Sequence, residues 1–294
     1  MVKRYRVAHS PDADDLFMFA PIRWGWVSVG GGRVKLEGVT ADIEELNRRA
    51  LEGVYDVTAI SFGVYPLIWR EYALLKSCHS FGFGYGPKLV KRRGVQLKRR
   101  FRVALSGKYT TNALIFKIAY PAARPVYTHF QQIEELVLKG EVDAGVVIHE
   151  SILDLPEGLE VERELWDIWV ELVQEELPLP LGGMALRRSI PLLTAIEIEE
   201  GLQRGVELGN RYRGIGRKML EESFQLRVSG ELLERYLEMY AGEEATQLSR
   251  AQIRGLEALF KLAADRLGYP RLGPVESYTI PTQYRELRQG RVEW

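Results

Sequence analysis

The fold follows first from Asp143-Ala144-Gly145-Val146-Val147-Ile148-His149-Glu150, a short apolar run with polar residues at both ends. Short apolar runs between turn signals are typical of strands buried inside a sheet. In open α/β sheets, ligands bind in the crevice at the carboxyl ends of the strands. The run therefore predicts a buried strand that carries His149 to the binding edge of a sheet.

An earlier stretch, Ala50–Ser61, has the same layout. In both stretches a glycine ends a predicted helix, an aspartate follows three residues later, and a strand then ends on a polar side chain. The residues concerned are Gly53, Asp56 and Ser61 in the first stretch, and Gly140, Asp143 and His149 in the second. The repetition predicts two α/β lobes with a cleft between their polar strand ends.

Length and composition indicate a globular protein of two ordinary domains. The chain has 294 residues, of which 46% are hydrophobic and 27% charged. Its 40 basic and 40 acidic residues give a formal net charge of zero, which argues against a nucleic-acid partner. The basic clusters Lys91–Arg93 and Lys98–Arg100 flank a short loop and predict a solvated hairpin.

The sequence predicts neither a metal nor an organic cofactor. Its one cysteine, Cys78, excludes a disulfide within the chain and a cysteine-based zinc site. Its four histidines lack a metal-binding spacing. The basic start of the chain is not followed by an apolar segment, and no apolar run approaches the ~18 residues of a membrane span. We therefore expect a cytoplasmic protein.

Strands and helices alternate over the first 190 residues, which predicts mostly parallel sheets. We expect the chain to cross between lobes near Lys88–Arg100 and Leu177–Arg187. The first lobe would then comprise residues 1–90 and 188–294, and the second residues 91–187. Two doubly wound lobes joined by two strands resemble the type II periplasmic-binding-protein architecture. The last third is predicted to be helical, and the tail Gly268–Trp294 to pack on the surface or to be loosely ordered.

The turn Ser10–Asp15 opens a predicted helix with three aspartates, at positions 12, 14 and 15. Helix N-termini favour such acceptors, so capping is preferred here over a cation site, whose loop spacing is absent. A substrate hydroxyl bound by Asp14 or Asp15 is the functional alternative.

Residues that could act in catalysis or binding also follow two other predicted strands. His149 has the residue type of a general base near neutral pH, or it is a structural histidine satisfied by its neighbours. The loop Ser106–Thr111 suits either a bound carboxylate or phosphate, or a helix cap by Thr110. His9 also ends a strand and could line the cleft, whereas His79 and His129 lack a supporting pattern.

Two apparent motifs do not support their usual functions. The series Gly82-x-Gly84-x-Gly86-Pro87 has the wrong spacing for a dinucleotide loop and runs into a strand. Its glycines would instead let backbone approach a ligand or the opposite lobe. Ser61 lacks the G-x-S-x-G context of a hydrolase nucleophile.

An ordered set of motifs over residues 5–190 resembles the 1,4-dihydroxy-6-naphthoate synthase family of the futalosine pathway to menaquinone. The motifs are Ser10-Pro11-x-x-x-Asp15-x-Phe17-x-Phe19, Glu45-Leu46-Asn47, Asp56-Val57-Thr58-x-Ile60-Ser61-Phe62, Gly82-x-Gly84-x-Gly86-Pro87, Thr110-Thr111, His149-Glu150 and Leu179-Pro180-Leu181-Gly182. The resemblance implies a carbon–carbon lyase on a binding-protein fold. It would convert cyclic dehypoxanthinyl futalosine to 1,4-dihydroxy-6-naphthoate without a cofactor.

The resemblance also implies roles for individual residues. His149 would be the catalytic base. The candidate substrate contacts are Ala59, Ile60, Ser61, Thr110 and Thr111, joined by Ser10, Asp14 and Asp15. The family usually has Cys-Pro-Asn where this chain has Asp12-Ala13-Asp14. A carboxylate thus replaces a neutral amide at Asp14, which indicates a divergent subgroup or an altered substrate.

Three alternatives remain at this point. A non-catalytic solute-binding protein of a transporter shares the fold, although its secretory signal is missing. The sibling chorismate dehydratase shares the architecture, but its early motif differs from the aspartate-rich Ser-Pro motif. A sensor domain is also compatible with the fold. The partner in each case is a small molecule, and the oligomeric state is left open.

Overall fold

Ten strands form two five-stranded sheets in the computed structural model, which describes residues 2–281. The strands are β1 (Lys3–His9), β2 (Val34–Thr40), β3 (Val57–Ser61), β4 (Tyr72–Gly82), β5 (Lys88–Arg92), β6 (Arg102–Leu105), β7 (Arg124–Tyr127), β8 (Ala144–Val147), β9 (Leu159–Glu164) and β10 (Leu179–Arg187).

Ten α-helices accompany these strands within the same residues. They are α1 (Ala13–Arg23), α2 (Ile43–Leu51), α3 (Tyr65–Ile68), α4 (Thr111–Ala119), α5 (Ile133–Lys139), α6 (Leu165–Val173), α7 (Leu192–Arg211), α8 (Arg213–Ser223), α9 (Gly230–Tyr240) and α10 (Arg250–Leu267). The two-lobed α/β fold with a helical last third is confirmed. Neither β9 nor α6 was predicted from the sequence pattern.

The two sheets have matching strand orders, β2-β1-β3-β10-β4 and β7-β6-β8-β5-β9. In each sheet three neighbouring strands are parallel, and the fourth strand is antiparallel to both of its neighbours. The expectation of mostly parallel sheets is therefore corrected to mixed sheets. The physical reason is that β5 and β10 enter their sheets from the opposite lobe, so they run against the local strand direction.

The chain changes sheets at residues 83–87 and again at residues 174–178. We expected residues 91–187 to form the second lobe, but β10 (Leu179–Arg187) pairs with β3 and β4 in the first. Likewise, β5 begins at Lys88 and already belongs to the second sheet. Strand periodicity reports which residues are buried but not which sheet buries them, so these boundaries could not be read from it.

The repeated glycine–aspartate pattern has the same structural basis in both lobes. Gly53 and Gly140 have φ values of 66° and 75°, which end the preceding helix in the left-handed region that favours glycine. The carboxylate of Asp56 accepts a hydrogen bond from the Arg6 backbone N–H (2.8 Å), on the neighbouring strand. Asp143 does the same for the Arg102 N–H (2.7 Å). Each pattern therefore fixes a central strand, β3 or β8, beside its parallel neighbour.

The helical last third packs on the first lobe. Helix α7 lies against α1 and β4, α8 and α9 lie against α1, and α10 lies against β10. Part of the predicted tail is ordered, because Tyr278 is buried against Tyr65 and Trp69. The remainder of that prediction, residues 282–294, lies outside the described residues. One wall of the interlobe cleft is thus built by residues distant in sequence from its strands.

The glycine series after β4 forms a tight turn between the lobes. A Cβ on Gly82 would lie 2.2 Å from the Tyr85 carbonyl oxygen, and Gly84 has a φ of 74°. These contacts lie within the turn itself, and the expected approach of backbone to a ligand or the opposite lobe stays a prediction. The turn delivers Pro87 to the edge of the cleft.

Candidate functional site

A cavity of about 750 Å³, including its mouth, lies between the carboxyl ends of the parallel strands of both sheets. All nine residues predicted for the site line it. The first lobe provides Ser10, Asp14, Asp15, Ala59, Ile60 and Ser61, and the second provides Thr110, Thr111 and His149. The structure thus brings the predicted residues together, while their individual roles stay predictions.

The two lobes are closed against each other around this cavity. The Thr111 hydroxyl donates to the Leu181 carbonyl oxygen (2.7 Å) and accepts from the Gly63 backbone N–H (2.9 Å). The Tyr109 backbone N–H donates to the Glu44 carboxylate (2.9 Å). Because the Thr111 hydroxyl is engaged in these contacts, it joins the lobes in addition to lining the cavity.

The N-terminus of α4 faces the cavity. The Thr110 hydroxyl accepts a hydrogen bond from the Ala113 backbone N–H (3.2 Å), so the predicted cap is observed. Two further lining groups, Ser106 Oγ and Asn112 Oδ1, are buried without a hydrogen-bond partner. An N-terminus with a positive end dipole beside unpaired polar groups can hold a substrate's polar group, a carboxylate included.

His149 follows β8 and begins a single 3-10 turn, His149–Ile152. Its φ of 58° lies in the left-handed region, which costs a non-glycine residue about 1–2 kcal/mol. The imidazole packs edge-on against the Phe130 ring at 4.7 Å between centroids. Burial lowers the pKa of His149, outweighing nearby acidic groups that raise it, of which Glu150 is the largest. The imidazole is therefore neutral near pH 7 and can accept a proton.

The aspartates of the α1 turn face inward and do not cap the helix, which corrects the capping expectation. The Asp12 side chain, at the N-cap, makes no capping bond, and its Oδ2 lies 3.2 Å from His149 Nε2. Asp14 accepts hydrogen bonds from Ser80 Oγ (3.0 Å) and the Tyr236 hydroxyl (3.2 Å). Asp15 accepts from the Ser10 backbone N–H (2.7 Å). These carboxylates form an acidic wall of the cavity.

Burial is the largest cause of raised pKa values along this wall. It raises the pKa of Asp12 well above its usual range, with a further increase from the Asp14 charge. It raises the pKa of Asp14 to about 6, with a further contribution from Asp15. The pKa of Asp15 is also raised by burial. Partial protonation reduces the negative charge that an anionic substrate would otherwise meet.

Replacing Asp14 with asparagine is expected to stabilise the protein above pH 6. The folded-state pKa of Asp14, about 6, exceeds its usual value of 3.8, so wild-type stability falls as pH rises through this window. The gain should reach roughly 3 kcal/mol above pH 6 and disappear below pH 4. Denaturant unfolding of both proteins from pH 4 to pH 8 measures it. A gain that stays constant across this range would contradict the assigned pKa.

Ser61 is held in place by Asn47, which the resemblance included without a role. The Asn47 side chain is fully buried; it donates to Ser61 Oγ (3.1 Å) and accepts from the Ser61 backbone N–H (2.8 Å). Helix α2 carries Asn47 and is capped by Asp42, whose carboxylate accepts from the Glu44 backbone N–H (2.9 Å). The pair fixes the end of β3 at the cavity wall.

Replacing Asn47 with alanine is expected to destabilise the protein by about 1–3 kcal/mol, because the buried Ser61 N–H loses its acceptor. Denaturant midpoints measure the change. Arg48→Ala, on the exposed side of the same helix, is the control, and we expect a change within about 0.5 kcal/mol. Equal effects of the two substitutions would show that Asn47 does not anchor Ser61.

Several lining residues were not predicted for the site. They include Ser80 and Cys78 from β4, Tyr236 and Tyr240 from α9, Asn112 from α4, and Asp12. Burial raises the pKa of the Cys78 thiol to about 12, so this thiol stays protonated. The position of Asp12 in the aspartate-rich turn was the only available signal, because α9 reaches the cavity through tertiary packing.

The other histidines are not at the cavity wall. His9 Nδ1 lies 2.8 Å from the Ser10 carbonyl oxygen, and the ring packs on Phe19, outside the lining set. Burial lowers the pKa of His79 to about 4. His129 is partly exposed, near Asp42. Within residues 2–281 no group of three His, Cys, Asp or Glu side chains is arranged to hold a metal ion.

The fold is that of the periplasmic binding proteins. An alkanesulfonate-binding protein from Xanthomonas axonopodis pv. citri, solved with bound MOPS, superposes with a TM-score of 0.66 at 13% identity, covering 94% of this chain and 97% of that one. A crystal structure of a protein from Archaeoglobus fulgidus superposes with a TM-score of 0.81 at 35% identity, covering 90% and 97%. In the described part of the chain, no helix combines the length and apolar character needed to span a membrane.

The chain belongs to the menaquinone biosynthesis family, whose model matches residues 5–265. A 1,4-dihydroxy-6-naphthoate synthase from Thermus thermophilus is 35% identical over 202 residues, covering 68% of this chain and 72% of that protein. Another from Streptomyces coelicolor is 29% identical over 279 residues, covering 92% and 96%. These relatives place the chain among enzymes of menaquinone biosynthesis.

Proposed function

We propose that this protein is a 1,4-dihydroxy-6-naphthoate synthase, a carbon–carbon lyase acting on cyclic dehypoxanthinyl futalosine. One observation carries the proposal: a neutral, partly buried His149 lies in a closed interlobe cavity with all the other residues predicted for the site. Two relatives named for this activity, matching 68% and 92% of the chain, support the choice of reaction.

In the proposed reaction His149 removes a proton from carbon next to a carbonyl of the substrate. The electron pair left behind forms a new ring double bond as the carbon–carbon bond to the sugar-derived fragment breaks. The fragment leaves with the electron pair of that bond and takes up the proton from His149, and aromatisation of the naphthalene ring supplies driving force. A neutral imidazole suits this step because it is already in the form that accepts a proton. No cofactor is required by these residues.

The remaining residues would bind and enclose the substrate. The N-terminus of α4, with Thr110 and Thr111, faces the side of the cavity where a substrate carboxylate would gain most from the helix dipole. Asp14 and Asp15 are suited to accept substrate hydroxyl groups. Closure of the lobes through Thr111 would exclude water, which strengthens each of these polar interactions.

Purified protein incubated with cyclic dehypoxanthinyl futalosine tests the proposal, with chromatography to detect 1,4-dihydroxy-6-naphthoate. Product formation would support it. A parallel incubation with chorismate tests the sibling dehydratase, whose product would overturn it. Calorimetric binding of the futalosine derivative without any product would favour the solute-binding alternative.

A further inference from the structure

His149, the proposed base, contacts the carboxyl group of Asp12 across the cleft. The 1,4-dihydroxy-6-naphthoate synthase family usually has cysteine at the position of Asp12. We propose that Asp12 is a positioning residue for His149: it holds the proton of Nε2 and leaves Nδ1 as the atom that accepts the substrate's proton. This inference rests on the proposed function only for the identity of the reaction in which His149 acts as the base.

The contact is short and shielded from solvent. Asp12 Oδ2 and His149 Nε2 are 3.2 Å apart, although they lack the alignment of a complete hydrogen bond. The Asp12 side chain is 4% exposed and Nε2 has no solvent access, whereas the His149 side chain as a whole is 17% exposed. Nε2 therefore does not lie on the solvent-accessible edge of the ring. This leaves Nδ1 as the ring nitrogen that can face the cavity.

The backbone on both sides holds this pair in register. His149 has a φ of 58°, a conformation that non-glycine residues adopt rarely and that occurs preferentially at functional sites. The next residue, Glu150, is buried, and its Oε1 accepts from the Ala13 backbone N–H (3.4 Å). Residues 149 and 150 thus dock onto residues 12 and 13 through two adjacent contacts between the lobes.

A carboxylate beside Nε2 has two effects on the base. It favours the tautomer with the proton on Nε2, and its oxygen can still accept from the Nε2–H when Nδ1 takes a proton. Other charges also face His149: Glu150, Asp14 and Asp42 raise its pKa, and Arg227 lowers it, with burial as the largest effect. Among these acidic groups and Asp12, the carboxylate placed at Nε2 is that of Asp12.

The test combines Asp12→Asn and Asp12→Cys with a ¹⁵N NMR titration of His149 in the protein without substrate. We expect each substitution to change the ¹⁵N signature of the His149 tautomer, because the Asp12 oxygen beside Nε2 is replaced. We expect kcat to fall at least about 100-fold with KM little changed.

Asp42→Asn is the matched control, because it removes a carboxylate charge that acts on His149 without a contact at Nε2. It should leave the tautomer and kcat near wild type. An unchanged ¹⁵N tautomer signature of His149 in both Asp12 variants would overturn the inference, whatever the activity. If wild type forms no product, the proposed function fails, but the NMR titration still decides whether Asp12 positions His149.

Discussion

Replacing His149 with alanine is expected to lower kcat for the futalosine derivative by about 1000-fold. Removal of a positioned general base costs between 10²- and 10⁴-fold, because water must then accept the proton. Substrate affinity should change little, since the binding contacts proposed above come from other residues. Single-turnover kinetics with chromatographic detection measures the chemical step, and calorimetry measures the affinity.

His129→Gln is the control for this substitution, because His129 is partly exposed and does not line the cavity. Its kcat should stay within about twofold of wild type, as for most surface substitutions. If His149→Ala retained wild-type kcat, the base would have to be another group. If it lost binding and turnover together, His149 would act mainly in affinity.

Replacing Gly63 with alanine is expected to lower kcat/KM by about 100-fold while changing the melting temperature little. A Cβ at this position would lie 2.9 Å from Thr111 Cα and 3.0 Å from Thr111 N, both of them backbone atoms in the opposite lobe. Backbone cannot rotate away, so the lobes must separate, and a displacement of about 1 Å can cost 100-fold in rate.

Steady-state kinetics and small-angle X-ray scattering of Gly63→Ala measure activity and the opening of the lobes. Gly214→Ala is the matched control, because a Cβ there meets no atom within 4 Å. It lies in α8 and should stabilise the protein by about 0.5–1 kcal/mol without affecting activity. Wild-type activity in Gly63→Ala would show that closure at Thr111 is not needed for turnover.

The location of the site could be predicted because it depends on strand ends. Residues such as Ser61 and His149 follow apolar strands, and the carboxyl ends of parallel strands meet at one edge of a sheet. Two such edges face each other in this fold, so the predicted residues line one cavity. Local periodicity and turn residues were enough to locate this edge.

Other parts depend on tertiary packing, which the local sequence pattern does not report. Tyr236 reaches Asp14 across 222 positions of sequence, through the packing of α9 on α1. Asp12 and Asp14 are residues of a type that often caps helices, but in the folded protein their side chains are buried and have other partners. Asp12 contacts His149, and Asp14 accepts from Ser80 and Tyr236. The strand β10 has the apolar pattern of any buried strand, so its return to the first sheet could not be predicted.

The position of β10 also has a consequence for how the chain acquires its structure during synthesis. Strands β5 to β9 are continuous in sequence, so the second sheet can assemble as soon as residue 164 has left the ribosome. The first sheet lacks its fourth strand until residues 179–187 emerge, because β10 lies between β3 and β4. Domains fold as units when their strands are available, and distant pairings form slowly. We therefore expect the inserted second lobe to fold before the N-terminal strands complete their own sheet.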